Sequence, residues 1–326
     1  MIDWSKFVGI VQAHQRFLLM CHVRPDCDAL GSELAMAAIL EHLGKDVWLV
    51  NDFSVPPNLR GLDPEGKVKQ LDVDLSPEQL QDREVLIVLD TTAWIQLGKM
   101  ADVLRASRAV KVVLDHHVSE DDLGAALFKN VEAEATGRLV AEAADALGVP
   151  LVRKIAEPLF AAVATDTGWF RFASTTADTF RLAGRLVDAG AGPDRLFKQL
   201  YEADSLARLR LIGRTLARTQ SEMGGRLIHT WIERCDFEAT GALPSDTEDI
   251  INMTLTVGGT ETAFILVEVS GGKFKLSLRS RAGVDCSRLA QQFGGGGHRR
   301  AAGATLQGPL ADAQARVLEA VRAAMK

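Results

Sequence analysis

Cysteine is scarce: Cys21, Cys27, Cys235 and Cys286 are the four in the chain, with no close CxxC spacing. Neither a structural zinc cage nor a disulfide framework is expected from them. Long apolar runs are missing as well, since stretches such as Phe17–Cys21 and Val85–Leu89 are too short to cross a bilayer. The first ten residues include Asp3 and Lys6 and lack the apolar centre of a signal peptide. Internal repeats are absent, and Gly294–Gly297 is the one low-complexity tract. These absences exclude a disordered chain, a collagen and a disulfide scaffold, and they make the cytoplasm the expected location, with no membrane partner. What remains is the balance of an ordinary globular protein: 326 residues, 47% hydrophobic and 25% charged, enough for two domains.

The net charge of −6 argues against a general nucleic-acid coat. Its distribution is uneven. From Gly271 to Lys326 ten Lys and Arg face three Asp and Glu, a formal +7, which leaves −13 on the rest. A basic lobe for an anionic substrate and an acidic lobe for cations would account for this, as would ordinary fluctuation along a chain.

The first half alternates. Arg16–His22, Asp46–Val50, Glu84–Asp90 and Ala109–Asp115 read as buried strands, and Ala29–Leu43, Ala135–Leu147 and Arg153–Thr165 as helices. That order predicts an α/β fold, a mainly parallel sheet with helices on both faces, over residues 1–190. Ala177–Ala189 and Pro193–Arg218 read as helical, with 191–218 as a helical linker. Residues 219–326 change character. Leu227–Ile232, Glu261–Val269 and Lys273–Ser280 read as antiparallel strands and hairpins. With the amphipathic helix Leu310–Met325 they predict a smaller α/β domain with a mixed sheet.

Chemistry-bearing residues fall at the strand ends. His22 ends the first strand, and the loop HVRPDCDALGS then places Asp26 and Asp28 before a helix. Asp90 ends a later strand, Asp115, His116 and His117 end the next, and Asp166 lies within ATDTGWF. Any one aspartate in such a place is ordinarily a helix cap, and a histidine pair is ordinarily structural. Together they form a different pattern, because nearly every strand delivers a carboxylate or imidazole to one sheet edge. Clustered carboxylates persist only if protonated or neutralised by cations. Four carboxylates with two imidazoles and no thiolate suit two octahedral ions, Mn2+ ahead of Mg2+, Co2+ or Fe2+. Two such ions about 3.5–4 Å apart are a standard solution to phosphoester hydrolysis. Asp90, isolated between the two ligand clusters, is the expected bridge.

HVRPDCDALGS, VLDTT, LDHH and ATDTGWF, in this order, resemble the four motifs of the DHH phosphoesterase superfamily. RSRAGVDCSRLAQQFGGGGHRRAAGA resembles the glycine-rich signature of its DHH-associated substrate domain. The resemblance covers essentially the whole chain. It implies that His22, Asp26 and Asp90 hold one Mn2+, and that Asp28, Asp90, His116 and Asp166 hold the other. It implies that His117 faces the substrate phosphate as hydrogen-bond donor or acid, and that Asp115 orients a histidine. Cys27 would point away from the metals.

The four glycines make poor helix or strand material and read either as a flexible hairpin loop or as a backbone surface open to phosphate. On the second reading Gly296 and Gly297 approach substrate, the resemblance favours His298 and Arg279 as contacts, and Arg299 and Arg300 are either contacts or solvated. Glu134 and Thr136–Gly137 resemble a segment of relatives but read equally as a helix start. Ser174–Thr176 reads as a cap. Trp169, Phe170 and Phe172 offer either a stacking face or core packing.

Among the branches of the superfamily, the compact two-domain layout resembles the nanoRNase / pAp phosphatase (NrnA-type) enzymes. This implies hydrolysis of short oligoribonucleotides, of 3′-phosphoadenosine 5′-phosphate (pAp), or both, by a hydroxide activated between two metals. The small basic lobe agrees, because long polymers need a continuous positive track. The alternatives are a soluble cyclic-di-AMP or pApA phosphodiesterase, a single-strand exonuclease of the RecJ type, and a non-enzymatic nucleotide sensor. The sensor would need a ligand position lost, and all six are present. No obligate protein partner is indicated, and a homodimer is the default assembly.

Overall fold

The computed structural model describes residues 2–118, 121–202, 204–281 and 283–326. Contacts divide the chain into two compact units, Met1–Ala203 and Asp204–Lys326. In the first unit, strands β1 (Arg16–Cys21), β2 (Asp46–Asn51), β3 (Val68–Gln70), β4 (Val85–Leu89), β5 (Val110–Asp115) and β6 (Ala126–Lys129) alternate with helices. The helices are α1 (Trp4–Ala13), α2 (Cys27–His42), α3 (Met100–Ala106), α4 (Thr136–Ala146), α5 (Arg153–Asp166), α6 (Ala177–Asp188) and α7 (Pro193–Tyr201). The sheet is wholly parallel in the order β3-β2-β1-β4-β5-β6. The short strands β3 and β6 carry too little apolar pattern to read from sequence.

Alternation along each strand builds two cores. Phe17, Leu19 and Cys21 of β1 pack with α2, α4 and α5, whereas Leu18 and Met20 pack on the opposite face with Met100 and Leu104 of α3. Helix α2 is buried on nearly every side. Gly31 makes that burial feasible, since a Cβ there would stand 2.4 Å from the Pro158 carbonyl oxygen of α5. The glycine of the first motif therefore serves helix packing.

The strand order reverses between β1 and β4. The chain runs outward from β1 through β2 and β3, then returns to β4 beside β1. Such a switch point splays the connecting loops apart and leaves a crevice at the carboxyl ends of the strands. His22 and Asp90 are the residues that follow these two strands.

The second unit holds β7 (Gln220–Glu222), β8 (Leu227–Ile232), β9 (Thr262–Val269), β10 (Lys273–Ser280), β11 (Gly296–His298) and β12 (Ala301–Gln307), in the order β11-β12-β10-β9-β8-β7. Its helices are α8 (Leu206–Ala217), α9 (Arg234–Thr240), α10 (Ile250–Thr254), α11 (Cys286–Gln291) and α12 (Leu310–Ala324). Residues 193–218 are thus two helices, one in each unit. The sheet is mixed: β9 and β10 form the expected antiparallel hairpin, but β8 pairs with β9 in parallel. The antiparallel reading of β8 fails because α9 and α10 carry the chain back between the two strands, and a crossover of that length returns a parallel partner.

The glycine tract is corrected too. Gly296–His298 is an edge strand paired with β12, not unstructured loop. Backbone closeness explains the composition: a Cβ on Gly295 would meet the Gly303 carbonyl oxygen at 2.1 Å. Gly297 has φ +141°, and a Cβ there would meet the Ala301 carbonyl oxygen at 2.7 Å. No helix among the described residues is long and apolar enough to cross a membrane.

Candidate metal centre

Seven side chains from four separate stretches of the first unit, the six candidate ligands and His117, converge beyond the carboxyl ends of β1, β4 and β5. Their donor atoms form overlapping sets, each within 4.8 Å: His22, Asp26 and Asp90; Asp28, His116 and Asp166; Asp90, His116 and His117. His22 Nε2 lies 3.4 Å from Asp90 Oδ2 and 3.9 Å from Asp26 Oδ1. His116 Nε2 lies 3.8 Å from Asp28 Oδ2, 3.6 Å from Asp90 Oδ1 and 3.6 Å from Asp166 Oδ2. These separations exceed hydrogen-bond length. They suit atoms arranged around a shared cation, whose ligands at about 2.1 Å stand about 3–4 Å from one another.

The local backbone fixes each donor. Asp26 caps α2, its Oδ1 accepting from the amides of Asp28 and Ala29 at 3.0 Å each. Cap and cluster member are here the same residue. Asp28 accepts from the amides of Thr136 (2.7 Å) and Gly137 (2.9 Å) at the start of α4, and from Ser32 Oγ (3.2 Å). Asp90 sits at φ +65°, a conformation aspartate tolerates better than most residues. Its amide remains tied to the Leu114 carbonyl of β5, at 2.9 Å. Thr136 Oγ1 donates to Asp90 Oδ1 at 2.8 Å. The two oxygens of Asp90 are thereby divided, Oδ2 toward His22 and Oδ1 toward His116.

The imidazoles of His22 and His116 are set by an acceptor on Nδ1. His22 Nδ1 donates to the Val23 carbonyl (3.0 Å) and His116 Nδ1 to the Ala133 carbonyl (3.1 Å), so each turns Nε2 to the carboxylates. His117 is set differently. Its Nδ1 donates to Asp115 Oδ1 at 2.8 Å, and the Asp115 carboxylate also accepts from the His117 amide and from Thr92 Oγ1. Lys129 Nζ donates to Thr92 Oγ1 at 2.9 Å and stands 3.7 Å from Asp115 Oδ2. His117 is 49% exposed and Asp115 fully buried.

Proton affinities follow from this packing. Burial, then the charges of Asp90, Asp166 and Asp26, push the Asp28 carboxyl well up. Burial lifts Asp166 to about 6 against the pull of His116. Burial alone would lower His22, but the adjoining Asp90 carboxylate and the bond to the Val23 carbonyl carry it up to about 9. Asp115 raises His117, and the bonds from His117 and Thr92 hold the Asp115 carboxyl low despite its burial. A cluster that collects protons in this way is one that a divalent cation can occupy in their place. Burial also lifts the Cys27 thiol to about 12, which makes it an inert core sulfur.

The candidates in the second unit are spread over two hairpins. Arg279 lines a groove of about 660 Å³ with Lys275, Ser277, Gly294 and Gly295. Gly296, Gly297, His298 and Arg299 lie outside its lining and are exposed. The carboxylate and imidazole clusters among the described residues all belong to the first unit. Trp169 and Phe170 are half-buried among Phe160, Phe180, Phe197 and Tyr201, and Phe172 is exposed.

Thr136 and Gly137, given little weight in the sequence, hold two of the carboxylates. Thr92 and Lys129 were not singled out at all. Thr92 lies inside the VLDTT motif, but Lys129 is found only through strand register, where it pairs with Asp115.

A doubly wound sheet with this constellation at its switch point defines a phosphoesterase of the DHH class. Residues 16–163 match the family model described as the DHH family N-terminal domain, and 227–326 match the DHHA1 domain. The chain belongs to the DHH family of metal-dependent phosphoesterases. It is 33% identical over 302 residues to the bifunctional oligoribonuclease and PAP phosphatase NrnA of Thermus thermophilus, covering 92% of this chain and 87% of that one. The protein of the same name from Bacillus subtilis is 27% identical over 306 residues, covering 93% of each. The crystal structure of an exopolyphosphatase-related protein from Bacteroides fragilis has the same fold, with a TM-score of 0.88 at 24% identity over 98% of this chain and 94% of that one.

Proposed function

We propose that this protein hydrolyses short oligoribonucleotides and pAp with two bound divalent cations, Mn2+ being the native pair. The observation that carries the reading is the division of Asp90 between the His22 and His116 donor sets. His22, Asp26 and Asp90 hold one cation, and Asp28, Asp90, His116 and Asp166 hold the other. Cations in such a site supply an acidified water and neutralise charge on the phosphoryl oxygens. Asp28 and Asp90, anchored by the α4 amides and Thr136, keep the donor set in place without rearrangement.

His117 acts on the substrate. With Nδ1 committed to Asp115, its half-exposed ring has Nε2 free to donate a hydrogen bond or proton to the leaving oxygen. Asp115 fixes the ring, and Thr92 fixes Asp115. In the second unit Arg279, His298, Arg299 and the backbone of Gly296 and Gly297 bind nucleotide. The names of the Thermus and Bacillus relatives, which cover nearly the whole chain, support this choice of substrates.

A turnover panel tests the reading: pAp, pApA, a five-nucleotide RNA, long single-stranded DNA and pyrophosphate, each with Mn2+ and with EDTA. Turnover of pAp and the short RNA that EDTA abolishes is expected. Preference for long DNA or pyrophosphate, or turnover unaffected by EDTA, would overturn it.

A further inference from the structure

The loop between His22 and Asp26 contains a residue of unusual conformation. Arg24 has φ +53°, a region that a side chain beyond Cβ disfavours and that glycine, asparagine or aspartate accepts more readily. The turn is forced from both sides. The Val23 amide donates to the Gln96 carbonyl at 2.7 Å, and its carbonyl accepts from His22 Nδ1 at 3.0 Å. On the other side Pro25 is buried and Asp26 is locked as the cap of α2. Backbone needs alone would therefore select asparagine or glycine at position 24.

The side chain gives no structural reason for arginine. Arg24 is exposed, and no hydrogen bond or ion pair to a described residue holds its guanidinium. Asp26, two residues away and 63% exposed, does not pair with it. An unpartnered cation thus stands between two members of the His22–Asp26–Asp90 set, at the rim of an otherwise acidic site. Strained backbone tends to be retained where function needs it. A guanidinium is the side chain best shaped to grip phosphate oxygens in pairs.

We propose that Arg24 is a substrate-binding residue whose guanidinium grips a phosphate of the nucleotide other than the one being hydrolysed. The cation sets and His117 claim the scissile phosphate, so a cation on the outer rim meets the next anionic group. The inference rests on the phosphoesterase reading above. It makes Arg24 a determinant of preference for substrates with two phosphates.

The test uses the full chain with Arg24→Asn, which suits the backbone and removes the charge, and Arg24→Lys, which keeps the charge without the fork. Calorimetry with Ca2+ in place of Mn2+ measures binding of adenosine 3′,5′-bisphosphate and of adenosine 5′-monophosphate. Arg24→Asn is expected to weaken the bisphosphate about tenfold or more, the size of a lost charge-assisted bond, and the monophosphate less than about threefold. Arg24→Lys should restore part of the difference, and with Mn2+ the KM for pAp should follow the binding while kcat holds. Arg24→Asn should also melt at the same or a higher temperature.

Equal weakening of both ligands, no weakening, or a large fall in melting temperature with Arg24→Asn would overturn the proposal. If the wild type bound the bisphosphate but hydrolysed no substrate of the turnover panel, the phosphoesterase reading would fail, while the binding comparison would still decide the role of Arg24.

Discussion

The two units treat polar groups in opposite ways. In the first, Asp28, Asp90 and Asp115 are almost wholly buried, and each accepts a hydrogen bond from a distant stretch of chain, Thr136 for Asp28 and Asp90 and Thr92 for Asp115. In the second, Gly296, Gly297, His298 and Arg299 lie in the open on one edge hairpin. A buried carboxylate without donors or a counter-charge costs several kcal/mol, so such a cluster is either over-determined or absent. Exposed donors face no such constraint, and they can adapt to a flexible anionic ligand. The difference suits rigid chemistry in one unit and adaptable recognition in the other.

Removing the shared carboxylate puts the greatest strain on this comparison. Asp90→Ala should reduce turnover by about 10³-fold or more, equivalent to roughly 4 kcal/mol of barrier, while circular dichroism stays native. Turnover near wild type would end the two-cation assignment.

Next in size is a buried acid in the first unit that the chemistry does not use. Glu33 is fully buried, accepts from Asn51 Nδ2 (2.8 Å), and burial lifts it to about 7. Between its ordinary value of 4.5 and about 7 the folded chain holds a proton that the unfolded chain has released. Stability should therefore fall as pH rises through that window and level off above it, by up to about 3 kcal/mol. Denaturant midpoints of the EDTA-treated protein at pH 5 and pH 8 measure the slope, and Glu33→Gln should make it shallower, leaving the share of Asp28, Asp166 and His22. An equal slope in the variant would place the proton elsewhere.

Thr136→Val sharpens the claim that anchoring matters. It deletes the hydroxyl that donates to Asp90 and should weaken cation binding about 10–100-fold, as loss of such supporting bonds does. Metal titration by calorimetry checks it, and unchanged affinity would make Thr136 purely structural.

The smallest effect is expected in the second unit. His298→Ala should raise KM for a short RNA about tenfold, the worth of one hydrogen bond to a charged group, with kcat within about twofold. A fall in kcat matching that of Asp90→Ala would erase the contrast between the units.

The motifs HVRPD, VLDTT and LDHH were legible because chemistry demands particular residue types at strand ends, and strand ends follow apolar runs such as Val85–Leu89; ATDTG closes α5 instead. Boundaries moved little where a helix was read: α2 begins at Cys27 where Ala29 was expected, since Asp26 caps it. Strands β3 and β6 were not legible, at three and four residues, and Lys129 was missed with β6. The direction of β8 was missed because strand composition does not record whether a partner runs parallel. That Gly296–His298 is a strand was not legible, because the reason for Gly295 and Gly297 lies in the strand opposite.

Residue types and their order alone determined the class of the protein, the candidate donors and the change of character between its two parts, because periodicity and ligand chemistry are local properties. Only the tertiary structure decided that Asp90 turns one oxygen to each donor set, that Thr136, Thr92 and Lys129 stand behind the charged groups, and that Arg24 has no partner among the described residues. Those are relations between distant stretches, and they exist only once the sheet has brought its strand ends together.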